Sequence, residues 1–126
     1  MTLTEAKTLL KEKNYEDQKI IKKFKDDLKK DIAYVLANNG EQAMKADLKI
    51  KRRNAIFLLL LNENENGTIE ELIKEREFYN RFLLEQKPWM PRTSSVLTNL
   101  LNALYAEVTA EIITELDFII EKVKQK

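Results

Sequence analysis

The sequence predicts an all-α fold: a bundle of four to five helices with a long C-terminal helix. Three observations lead there. Apolar residues recur at helical spacing in every long segment. Only two Gly and two Pro punctuate 126 residues, too few for the turns of a sandwich or barrel. The one short run that could be a buried strand, Ala55 to Leu61, has no candidate partner strand elsewhere. One domain over residues 1–126 is the simplest organisation at this length.

Taken in order, Thr2 and Glu5 have capping-box spacing, and Leu3, Ala6, Leu9 and Leu10 make a short apolar stripe. A first helix is expected over 3–13, loosely docked, because chain ends fray. Asn14 can cap a second helix whose apolar face is Ile21, Phe24, Leu28, Ile32 and Val35. Its other side is rich in lysine and aspartate at i,i+4 and reads as a solvated face. Asn38-Asn39-Gly40 is expected to end it, since these residues tolerate left-handed backbone.

The third helix is expected from Glu41 to Leu61. Its second half is apolar all round, which predicts cover on several sides. Asn62 to Gly67 reads as a loop, and Thr68 with Glu71 as a second capping box opening a helix over 69–86. Its packed side is expected to hold Ile69, Leu72, Ile73, Tyr79, Phe82 and Leu83. Pro88 and Pro91 bracket Trp89 and Met90 in a stiff connector. The last helix runs from Thr93, with Thr93, Ser94 and Ser95 as N-cap candidates and Lys122, Lys124 and Lys126 at its C-terminal end. Leu97, Leu101, Leu104, Val108, Ile112, Ile119 and Val123 form its main apolar face. Val96, Leu100, Ala103, Ala110 and Ile113 form a second set on other sides, more than a small bundle is expected to cover.

Composition narrows the chemistry. There is no His and no Cys, so a histidine base, a serine triad, a zinc site and a thiol nucleophile are absent. Two glycines supply neither a phosphate loop nor a dinucleotide fingerprint. No enzyme activity, cofactor, metal or small-molecule substrate is expected. Glu107, Glu111 and Glu115 stand at i, i+4, i+8 on the last helix. Like charges at that spacing repel, so a compensating charge is expected. Mg²⁺ could serve, but Lys or Arg from another helix is the preferred reading, with Arg52 or Arg53 opposite Glu111 or Glu115. No apolar run approaches the ~18 residues of a membrane span, and the chain shows neither a signal peptide nor cysteines. A cytoplasmic protein without a membrane partner is the expectation. Richness in Lys, Glu, Asn and Ile suits an AT-rich bacterial or mobile-element gene.

Two functional readings remain. The first is a protein-binding module, an adaptor, inhibitor or assembly factor, acting as a homodimer or on a larger protein partner. Trp89, Met90 and Arg92 are its candidate contact residues, being types enriched at interfaces and held between two prolines. The alternative for Trp89 is that it folds back to plug the bundle. The second reading is a nucleic-acid binder using Lys45, Lys49, Lys51, Arg52 and Arg53. It draws on a charge asymmetry: residues 1–54 carry 14 Lys/Arg against 9 Asp/Glu, and residues 55–126 carry 8 against 12. Against it, the cluster has no interleaved aromatics for base stacking. Lys45 and Lys49 are expected to face solvent.

Overall fold

A computed structural model describes residues 1–61, 64–87, 90–91 and 95–124. Over these the chain forms four helices: α1 (Leu3–Leu28), α2 (Ile32–Leu59), α3 (Glu65–Gln86) and α4 (Val96–Lys124). No strand occurs among the described residues. The all-α class therefore holds, with four helices rather than five. The C-terminal helix is long, at 29 residues, and α2 is almost its equal at 28.

The helix boundaries differ from those expected, and capping explains most of the difference. Thr2 does form the predicted box: its hydroxyl accepts from the Glu5 N–H at 3.1 Å, and the Glu5 carboxylate accepts from the Thr2 N–H. The helix then runs through Asn14 without a break. Asn14 does not cap; its amide donates to the Asn54 side chain on α2 at 3.1 Å. The segment is also not loosely docked. Ala6 and Leu10 are fully buried, and the N-terminal ammonium donates to the Lys122 carbonyl.

The first turn falls at Lys29 to Asp31, not at Asn38-Asn39-Gly40. Asp31 takes the N-cap, its carboxylate accepting from the Tyr34 N–H at 3.1 Å. Helix α2 passes through Gly40, which has no positive φ. The expected continuous face from Ile21 to Val35 is therefore split between two helices. Helix α3 starts early, with Asn64 as N-cap accepting from the Gly67 N–H. Thr68 lies inside the helix and donates to the Asn64 carbonyl rather than opening a capping box with Glu71. For α4, the Ser95 hydroxyl accepts from the Thr98 N–H, as one of the three N-cap candidates. Thr93, Ser94 and Lys126 lie outside the described residues, while Lys122 and Lys124 sit in the last turn.

Helices α1 and α2 form one antiparallel hairpin and α3 and α4 a second; the two meet mainly where α2 runs along α4. Lys11 lies over the Phe57 ring while Asn14 meets Asn54, which sets the antiparallel sense of the first pair. Arg76 pairs with Asp117 between α3 and α4. In an up-down-up-down path the second and fourth helices point the same way. One apolar cluster draws on all four helices: Ala6 and Leu10, Ile56 and Leu60, Leu72 and Tyr79, and a row along α4 from Val108 to Val123. That row includes Leu116 and Ile120 as well as the predicted Val108, Ile112, Ile119 and Val123. Leu104 is buried too, whereas Leu97 is exposed. On α3, Ile69 and Ile73 pack against the same cluster, as expected. The apolar run at 55–61 is not covered all round: Ile56 and Leu60 are buried, but Leu58 and Leu61 face solvent. The other helices pack on one side of α2 only, and the run exceeds what that side can bury.

Candidate interaction surface

The glutamates of α4 meet three cations of α2 in a ladder. Lys45 reaches Glu107 at 2.7 Å and its own-helix Glu41 at 3.2 Å. Lys49 reaches Glu111 at 3.2 Å and Asp17 of α1 at 3.7 Å. Arg53 grips Glu115 with two parallel hydrogen bonds, Nε to Oε1 and Nη2 to Oε2, each 2.8 Å. Its remaining nitrogen, Nη1, donates to Asp17, with the Asn14 amide oxygen 3.5 Å away. Each rung joins residues separated by 62 positions, because both helices use the same i, i+4, i+8 spacing and run in parallel.

The ladder changes character along its length. Lys45 and Glu107 sit near the surface, whereas the Arg53 side chain is 5% exposed and that of Asp17 7%. Burial opposes the charge on Arg53, but Glu115 and Asp17 more than compensate and hold its pKa above the usual guanidinium value. The Lys45 ammonium is likewise raised, chiefly by its hydrogen bond to Glu107. The pairing expected for Arg53 with Glu115 is thus present. The solvent exposure expected for Lys45 and Lys49 is not: both are largely covered and matched to carboxylates, because α2 and α4 lie side by side in register.

Of the two other candidate cations, Lys51 is exposed and pairs with Asp47 one turn earlier. The Arg52 guanidinium lies over the ring of Tyr79 on α3, 5.2 Å from its centre. Tyr79 is buried there, and burial together with a hydrogen bond to Glu75 pushes its hydroxyl up to about 12. The five cations therefore do not form one surface. Met90 is exposed, and Trp89 and Arg92 lie outside the described residues. Asp17 carries no signal of this role in the sequence. It is an acid on a lysine-rich helix, and nothing local marks it as the buried partner of Arg53.

The second feature is apolar. At the end of the bundle where α2 and α4 begin, Ile32, Tyr34 and Leu36 of α2 and Val96, Leu97 and Leu100 of α4 are all exposed. Val96, Leu100, Ala103 and Ala110 of the expected second set face solvent, while Ile113 packs on the core. Among the described residues no group of three or more acidic side chains is placed to hold a metal ion. Nor, among them, is any helix long and apolar enough to cross a membrane. No protein-family model matches the chain, and comparison with curated proteins and with solved structures finds no match.

Proposed function

We propose that the chain is a non-enzymatic, helical protein-binding module, acting by self-association, on a larger protein partner, or both. One observation supports this above the others: six large apolar side chains at one end of the bundle, on its two longest helices, are left uncovered. Scattered single exposures need no explanation, but apolar residues gathered at one end of a bundle suit an interface. The alternative, nucleic-acid binding through the α2 cations, draws less support, since Lys45, Lys49 and Arg53 are already opposite carboxylates. The test is a pull-down from the native host with and without nuclease, using the wild-type chain and Leu97→Asp. Protein capture that resists nuclease and is lost in the variant is expected. Capture that depends on nucleic acid, and that Lys51→Glu or Arg52→Glu abolishes, would overturn the reading.

A further inference from the structure

The stripe of α2 that bears the ladder continues toward its N-terminus. Stepping back from Lys45 by four, three and four residues gives Glu41, Asn38 and Tyr34. The same steps from Glu107 on α4 give Ala103, Leu100 and Val96. The common offset of 62 therefore places Tyr34 level with Val96, and Asn38 level with Leu100. Lower down, these stripes bury each other, as Arg53 and Glu115 show. Above Lys45 and Glu107 the cover is lost: Tyr34 is 64% exposed, Val96 82% and Leu100 51%. Charge is lost at the same place. No charged residue occurs from Ile32 to Gly40 on α2 or from Val96 to Ala106 on α4.

We propose that a second copy of this chain covers this open end, packing the uncharged starts of α2 and α4 against their own counterparts across a two-fold axis. The proposal rests on the protein-binding reading above and names the partner. The argument is electrostatic and geometric. A two-fold interface sets each patch against itself, so a charged patch meets its own charge. The end of α1 and the turn after it, where Lys19, Lys22, Lys23, Lys25, Lys29 and Lys30 outnumber Asp26, Asp27 and Asp31, would meet such repulsion. The uncharged segments of α2 and α4 do not. A chain of net charge +1 also adds little overall repulsion between copies. The area agrees. Tyr34, Val96, Leu97 and Leu100 together expose on the order of 450 Å² of apolar surface, within the range of a monomer's largest patch. A standard interface takes about 800 Å² from each partner, of which a little over half is apolar, so the patch supplies about the apolar share required.

The experiment is sedimentation equilibrium of the wild-type chain, Leu100→Asp and Val96→Asp from low to high micromolar concentration, with circular dichroism on each sample. Both positions are exposed, so the variants should keep the wild-type helical spectrum and melting curve. The expected result is a wild-type particle of twice 14.8 kDa, with association weakened at least tenfold in either variant. A wild-type particle of 14.8 kDa at every concentration overturns the proposal. So does a dimer that Leu100→Asp and Val96→Asp leave equally tight, because the contact then lies on another face. In either case, nuclease-resistant capture of a different protein that Leu97→Asp abolishes would leave the protein-binding reading standing. With no such capture and a monomeric chain, both fail.

Discussion

Arg53→Met should be among the most damaging single changes outside the apolar core. The substitution keeps an unbranched stem and removes the guanidinium. Asp17 and Glu115 would then face each other across a largely buried space, with side chains 7% and 12% exposed and no cation between them. Breaking a buried pair by removing one partner costs about 3–5 kcal/mol, because the remaining charge keeps its desolvation penalty. Lys49, 3.7 Å from Asp17, offsets part of that for one carboxylate and nothing for the other. About 3 kcal/mol is the working value. At a urea slope of about 1.5 kcal/mol/M, it moves the unfolding midpoint down by about 2 M. The assay is urea unfolding followed at 222 nm at neutral pH. A companion variant, Asp17→Leu with Arg53→Met and Glu115→Leu, removes all three charges and should recover to within about 1 kcal/mol of wild type. If Arg53→Met alone costs under about 1 kcal/mol, water reaches the carboxylates and the pairing has only the worth of a surface bridge. If the triple variant is as unstable as the single one, packing by the arginine stem, not charge, explains the loss.

Two further outcomes follow from the fold. Gly40→Ala should raise stability by about 0.5–1 kcal/mol, since α2 is helical there and a Cβ would meet no atom within 4 Å; loss of stability in the same urea assay would restore the turn at Asn38 to Gly40. Tyr79→Phe should flatten the fall in stability between about pH 10 and 12. Burial raises the folded-state pKa of Tyr79 to about 12, so the unfolded chain releases this proton first and stability declines across that window, by up to about 2–3 kcal/mol. Identical wild-type and variant slopes over that range would show that the hydroxyl is solvated in the fold.

Helix content was legible because 3.6-residue periodicity survives in every segment. The breaks were harder to place, and the reason is specific. Asn14 and Asn38-Asn39-Gly40 have breaker chemistry, yet each lies within a helix held by packing against its neighbour. The real turn, Lys29-Lys30-Asp31, contains neither Gly nor Pro and is marked only by the capping carboxylate of Asp31. Tertiary packing outweighs local preferences of a few tenths of a kcal/mol to about 1 kcal/mol per residue. For the ladder, the need of Glu107, Glu111 and Glu115 for opposite charge was readable. So was the matching spacing of Lys45, Lys49 and Arg53. That α2 and α4 run in parallel, and at which offset, depends on the path of the chain through two hairpins, which no single segment encodes. Asp17 joins only through that same geometry.

The ladder also has a property that its energy alone does not show. Its period is one helical turn on both sides. Slide α2 along α4 by four residues, about 6 Å, and Lys45 meets Glu111 while Lys49 meets Glu115. Slide it the other way, and Lys49 meets Glu107 while Arg53 meets Glu111. Two of three rungs re-form in either case, so repeating charges distinguish one alignment from the next only weakly. The ends remove the ambiguity. In the first slip Arg53 would face Ile119, and in the second Lys45 would face Ala103. Asp17 does not repeat either: it is fixed on α1, and it meets Arg53 at one setting of α2 against α1. The fold thus combines a periodic scale with a single index mark, and the buried guanidinium is where the two coincide.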